Sequence, residues 1–196
     1  SQWIDLLMKQ TMLTDDENNF EVDVTLIELI DNNRRILQAK INPSTIEDFV
    51  GILVNQELHE KYVKLLNALT ICDGEAMVMN QTEISKIIFE NEANWKRLIF
   101  PVGFGAANKL LIKVYDEEIE LSTFKAKSTQ MDDRRIYDYF IQFVNLLANL
   151  CRDRNYVAIE PLMTIYKLEV CFQIISNGDF EPELRTCFCR LILNLY

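Results

Sequence analysis

Glycine and proline are scarce in this chain, at five and four of 196 residues. That shortage leaves little room for disordered linkers and suits helices. The one histidine, His59 in the run Glu57-Leu58-His59-Glu60-Lys61, rules out multi-histidine metal sites and reads as a solvated residue at a helix start. Nucleophile elbows, HExxH helices, phosphate-binding P-loops and dinucleotide fingerprints are all missing. Gly103-Phe104-Gly105 has no following lysine or helix, so it is read as a loop and not as a phosphate cradle. The five cysteines, at 72, 151, 171, 187 and 189, include no CxxC pair. Cys187 and Cys189 fall on nearly opposite faces of a helical pattern, so they cannot clamp one metal together; the five cysteines are read as buried, reduced thiols of a cytosolic protein.

Positive charge is also short. The formal net charge is -10 and the isoelectric point about 4.7, so nucleic acid and acidic lipid are poor partners. No apolar run reaches the ~18 residues that would argue for a membrane helix. The opening Ser1-Gln2-Trp3 has no signal-peptide character, and the expectation is an internal cut in something longer. The acids Asp15-Asp16-Glu17 and Asp132-Asp133 lie in polar connectors and read as surface groups. The stretch Asp15–Asn19 lacks the glycine and distal glutamate of a calcium loop. The sequon Asn80-Gln81-Thr82 is read as chance. No catalytic residue, metal ligand or cofactor is expected.

What the chain has is apolar residues, 49% of the total, in helical spacing. One stripe takes Leu26, Ile30 and Leu37; a second takes Leu58, Tyr62, Leu65, Leu66 and Leu69. A third takes Ile136, Phe140, Phe143, Val144 and Leu147, and a fourth Leu184, Phe188, Leu191, Ile192 and Leu195. Shorter helices are expected near 3–12, 44–55, 80–90 and 167–176. Ser44 with Glu47 forms a capping box, Asn80 with Glu83 a weaker one, and Pro182 suits a first helical turn. Lys109–Tyr115 and Ile119–Phe124 alternate with period two around Asp116-Glu117-Glu118, which predicts a β-hairpin. A polar connector, Lys125–Asp133, follows.

The fold class these signals imply is mainly α, an armadillo- or HEAT-like solenoid carrying one small hairpin at about 109–124. Asn33, in the gap of the first stripe, either touches a bound extended peptide or caps a helix end. Leu150–Leu162 (LCRDRNYVAIEPL) reads as an elbow. The long helix ends at Cys151–Arg154, where Arg152 and Arg154 favour its negative dipole end. Asn155 takes the left-handed conformation, Tyr156, Val157 and Ile159 re-enter the core, and Pro161 limits the next helix or begins another.

Two stretches go further than spacing. LIDNNRRILQAKINPSTIEDFVGIL (29–53) and YVKLLNALTICDGEAMVMNQTEI (62–84) resemble the homology domain shared by inositol trisphosphate receptors and ryanodine receptors, known as the RIH domain. YDYFIQFVNLLANLCRDRNYVAIEPL (137–162) and LEVCFQIISNGDFEPELRTCFCRLILNLY (168–196) resemble the segment that follows in inositol trisphosphate receptors. There an aromatic-rich helix ends in a Cys-x-Asp-Arg-x-Tyr-x-Ala-Ile corner, and the hairpin has a counterpart between the two halves. Leu69-Thr70-Ile71-Cys72 departs from that family's usual cysteine-and-serine version.

The resemblance implies a non-catalytic module of a homotetrameric, ligand-gated calcium-release channel, on the cytosolic face of the endoplasmic reticulum. Its partners would be other domains and neighbouring subunits, with no membrane insertion of its own. A unit at 1–105, a hairpin and connector at 106–128 and a second unit at 129–196 are expected. Family members hold the trisphosphate partly through a Tyr-Arg-Lys run that would precede Ser1. No such triplet occurs here, so no ligand-binding residue carries over. Three alternatives are a ryanodine-receptor-type module, a free-standing armadillo-type scaffold binding a peptide, and an enzyme with converging acids.

Overall fold

The computed structural model describes residues 2–13, 22–56, 58–114, 117–121 and 131–196. Eleven α-helices lie among the described residues: α1 (Gln2–Leu13), α2 (Val22–Ile30), α3 (Arg34–Lys40), α4 (Pro43–Asn55), α5 (Glu60–Thr70), α6 (Val78–Phe89), α7 (Glu92–Leu98), α8 (Met131–Leu150), α9 (Tyr156–Ile165), α10 (Leu168–Ser176) and α11 (Pro182–Leu195). The fold is mainly α, as the apolar periodicity requires. The stripe residues Leu58, Tyr62, Leu65, Leu66 and Leu69 are all buried, as are Phe140, Phe143, Val144 and Leu147, and Leu184, Phe188, Leu191 and Leu195.

Helices pack in two layers. In one, α2 lies against α5, α5 against α8 and α8 against α11; in the other, α4 lies against α6 and α6 against α9. Three members of the first layer run parallel. Along α8 and α11, Tyr137 meets Glu181, Asn145 meets Arg190 and the Ala148 carbonyl meets Asn194, so partners advance together. On α5, Glu60 acts on Asp138 while Asn67 bonds Gln142 and Asn149. Parallel neighbours separated by an intervening helix are what stacked helical units produce. Aromatic rings fill the space between layers, with Phe100 5.6 Å from Tyr139, and Phe188 6.3 Å from Phe140 and 6.0 Å from Tyr166.

Several local expectations are corrected. The first stripe is two helices, because the chain breaks at Asp31-Asn32-Asn33 between α2 and α3. Ser44 is not a cap. Helix α4 begins one residue earlier, at Pro43, and Asn42 Oδ1 accepts from Thr45 N at 3.0 Å. Such caps contribute about 1 kcal/mol. Nor does Asn80 cap α6, which starts at Val78 behind Met77, a residue with no side-chain capping bond. Pro182 does open α11.

The expected hairpin is present, shorter and in a larger sheet. Strands β4 (Leu110–Val114) and β5 (Glu117–Glu120) pair antiparallel, with Val114 opposite Glu117. Glu117 and Glu118 therefore belong to a strand and not to the turn. Val102–Phe104, read as part of a loop, is a third strand, β3, pairing Phe104 with Leu110. Glycine is disfavoured inside strands, but pairing with β4 and a ring contact between Phe104 and Phe180 (6.4 Å) outweigh that local preference. A second hairpin, β1 (Ile71–Cys72) with β2 (Glu75–Ala76), turns at Asp73 (φ 51°) and Gly74 (φ 76°). Asp-Gly is a strong signal for a tight hairpin turn. The remainder of the expected second strand and the connector 125–130 lie outside the described residues.

Candidate functional site

Nearly all the buried polar side chains of the chain's middle gather at one junction. It lies where α5 ends, α6 begins, α8 ends and α9 begins. Asn80 and Gln81 sit in the first turn of α6; both are buried, although polar residues at helix starts usually face water. Asn80 Nδ2 donates to the Leu69 carbonyl at 2.9 Å. Gln81 Nε2 donates twice, to the Thr70 carbonyl at 3.2 Å and the Asn149 carbonyl at 2.9 Å, bridging the ends of α5 and α8. One turn on, Ser85 Oγ donates to the Gln81 carbonyl (2.7 Å) and accepts from Asn155 Nδ2 (3.0 Å). Asn155 Nδ2 also donates to the Leu150 carbonyl at 2.9 Å, closing the last turn of α8.

Each bond is worth about 0.5–1.5 kcal/mol net, but losing one partner leaves a buried dipole that costs about 1–3 kcal/mol. Carbonyls at helix ends lack intrahelical partners, and these amides bond four helix-end carbonyls, those of Leu69, Thr70, Asn149 and Leu150. The junction therefore fixes the relative positions of α5, α6, α8 and α9 by direction as well as by packing. Gln81 Oε1 is buried and has no hydrogen-bond partner, so the site is not fully satisfied.

The elbow residues divide differently from expectation. Asp153 (φ 56°) and Arg154 (φ 63°) take the left-handed conformation, and Asn155 (φ -70°) does not. Asn155 is 8% exposed because its amide is needed inside. Tyr156, expected in the core, is 55% exposed, whereas Ala158 and Ile159 are buried. Pro161 lies inside α9. Arg152 and Arg154 flank the turn and form no ion pair among the described residues, so no ligand cluster is built around them.

A second contact ties the first quoted motif to the second. Asn32 Oδ1 accepts from Asp73 N at 2.9 Å, and Arg34 pairs with Glu75 across the β1–β2 turn. Glu75 holds the Arg34 guanidinium above its usual range, by hydrogen bonding first and charge second. Asn33 is the N-cap of α3, accepting from Ile36 N at 3.2 Å, which settles its two readings in favour of the cap. His59 caps α5 through Nδ1, 3.2 Å from Lys61 N, and is half-buried.

Cys72, Cys151, Cys171 and Cys187 are buried free thiols, as expected, whereas Cys189 is only half-buried. Burial pushes the Cys151 and Cys187 thiols up to about 12 and Cys171 up to about 11. The sequon asparagine Asn80 is 7% exposed and its amide is engaged, so it presents no accessible acceptor. Asp15-Asp16-Glu17 and the side chains of Asp132 and Asp133 lie outside the described residues. Among the described residues no three His, Cys, Asp or Glu side chains gather as a metal site, and no helix is long and apolar enough to cross a membrane.

In the sequence Asn80-Gln81 and the Asn155 corner read as separate motifs, with Asn80 and Asn155 75 positions apart. Nothing in the sequence marks Ser85 or Asn149 for a role.

The quoted motifs meet through buried amides in a two-layer helical stack, and residues 1–95 match the RIH domain family. Two curated relatives extend the similarity over most of the chain. Inositol 1,4,5-trisphosphate receptor itr-1 of Caenorhabditis elegans is 28% identical over 191 residues, covering 88% of this chain and 6% of that protein. Inositol 1,4,5-trisphosphate receptor-like protein A of Dictyostelium discoideum is 23% identical over 171 residues, covering 87% of this chain and 5% of that protein. The resemblance read from the sequence therefore stands: this chain is similar to inositol 1,4,5-trisphosphate receptors over most of its length, with an RIH match at residues 1–95. It spans 5–6% of the length of these relatives.

Proposed function

We propose that the chain is a non-catalytic, cytosolic module of a tetrameric, ligand-gated calcium-release channel of the endoplasmic reticulum. In this reading it lies beside the ligand-binding core and passes ligand-induced tilting of the preceding helices toward the pore. Two solenoid units, 1–105 and 129–196, act as one body, with the 106–128 segment set between them. The observation that supports this most is the double donation of Gln81 Nε2 to the Thr70 and Asn149 carbonyls. That bridge joins a helix of the first unit to the long helix of the second, and elements so joined move together instead of deforming independently. The similarity of both halves to inositol trisphosphate receptors supports the channel setting.

The test uses the full-length parent. Gln81→Leu should leave trisphosphate affinity unchanged while reducing the calcium released per bound ligand. Unchanged release, or an equal loss of ligand binding, would refute a coupling role. The flanking reading frame supplies an independent check, since several apolar spans of about 20 residues should lie downstream.

A further inference from the structure

The loop between α10 and α11 holds Asn177-Gly178, the single Asn-Gly step of the chain. Asparagine is a chemically labile side chain, and it is most labile before glycine, where no Cβ shields the next backbone nitrogen from the side-chain amide. The structure leaves this step open. Gly178 is exposed, and a Cβ built on it would meet nothing within 4 Å. Its N–H makes no hydrogen bond among the described residues, so the nitrogen is not tied into a helix or a ladder.

Asn177 itself has left the helix, with ψ 110°. Asp179 N donates to Asn177 Oδ1 at 2.9 Å, which turns the carboxamide forward along the chain and draws electrons from Cγ. To bring nitrogen and Cγ together, the Gly178 peptide swings about the Asn177 Cα–C bond. That swing gives up one long backbone bond, from Phe180 N to the Asn177 carbonyl at 3.3 Å. Asn80, Asn149 and Asn155 differ in both respects: their amides are held by neighbours, and helical backbone follows each of them.

We propose that Asn177 is a site of spontaneous deamidation and isoaspartate formation, a slow covalent change that loosens the start of α11. Gly178 N attacks Asn177 Cγ. The N–Cγ bond forms, the Cγ–Nδ2 bond breaks, and Nδ2 leaves as ammonia with the Gly178 amide proton. Water then opens the five-membered imide. Attack at Cγ gives aspartate; attack at the backbone carbonyl gives isoaspartate, whose main chain runs through Cβ and Cγ and is one carbon longer. Either product adds a carboxylate close in sequence to Asp179, Glu181 and Glu183. The longer chain also displaces two contacts that anchor this corner. Tyr137 OH donates to Glu181 Oε2 at 3.0 Å, and the Phe180 ring lies 6.4 Å from Phe104. The inference does not depend on the channel reading.

The test holds the intact chain at mildly alkaline pH and body temperature and digests samples with trypsin over time. The fragment Leu168–Arg185 should gain the mass of an amide-to-acid change with first-order kinetics, split into isoaspartyl and aspartyl forms. Its rate should exceed that of the fragments holding Asn80, Asn149 and Asn155 by about tenfold or more, and should lie within about tenfold of its own rate in urea. Gly178→Ala, which the open space around Gly178 accommodates, should slow the change by about tenfold or more. Backbone hydrogen exchange in α11 should be faster in the aged chain than in Gly178→Ala aged beside it. Four results would each overturn the proposal: a folded rate more than about tenfold below the urea rate, no isoaspartyl product, an unslowed Gly178→Ala, or equal exchange in the two aged samples.

Discussion

Replacing Asn155 with alanine tests the junction where its geometry is most explicit. The side chain is 8% exposed and Nδ2 serves two acceptors, the Leu150 carbonyl and Ser85 Oγ. The variant keeps the backbone bonds in which the Asn155 carbonyl accepts from Ala158 and Ile159, so α9 still starts in place. What is lost is two bonds of about 0.5–1.5 kcal/mol each, and the Leu150 carbonyl is left at a buried helix end. The sum is about 2–3 kcal/mol, a large part of the ~5–15 kcal/mol that holds a typical domain. For a chain of this size the thermal midpoint should fall by about 5–10 °C. Urea or thermal denaturation followed by circular dichroism measures it, with Tyr156→Ala next door, at an exposed side chain, as a control changing by less than about 0.5 kcal/mol. A double-mutant cycle with Ser85→Ala should return a coupling of at least about 0.5 kcal/mol. If Asn155→Ala costs no more than Tyr156→Ala, or the cycle is additive, the junction does not stabilise the elbow.

Other outcomes follow from the same structure. Arg154→Gly should raise stability by about 0.5–1 kcal/mol, because relief of a left-handed backbone exceeds the entropy cost of glycine; a drop in the midpoint would show that the side chain matters more than the strain. Cys189 should react first with a thiol reagent near neutral pH, and the four buried cysteines only on unfolding; simultaneous reaction of all five would contradict their burial. The raised thiols of Cys151 and Cys187 bind protons more tightly folded than unfolded, so their contribution is complete below about pH 9 and is lost as pH rises toward 12. A pH series of denaturation midpoints should therefore fall through that range, and a flat profile would refute it. Calorimetry on residues 1–196 should detect no inositol trisphosphate binding, since the chain has no Tyr-Arg-Lys cluster; micromolar affinity would place the ligand site here after all.

Local chemistry was legible wherever one helix face decides it. The stripes of α5, α8 and α11 were read correctly because burying one side of a helix imposes a 3.6-residue period on the sequence itself. Boundaries were less legible. Ser44 and Asn80 have the side chains of caps, yet Asn42 takes the first role and the interior claims the second. Asn155 looked like a left-handed residue by type, but its amide has better partners inside, and Asp153 and Arg154 make the turn in its place.

By itself the sequence determined the helical class, the burial of four of the five cysteines, the hairpin and, through the motifs at 29–53, 62–84 and 137–162, the family resemblance. Only the tertiary structure decided that Gln81, Ser85, Asn149 and Asn155 form one junction. The reason is physical. Periodicity reports which face of an element is apolar, but not which distant element it meets. A hydrogen bond between residues 70 or 80 positions apart exists only once the stacking of whole helices has placed them together.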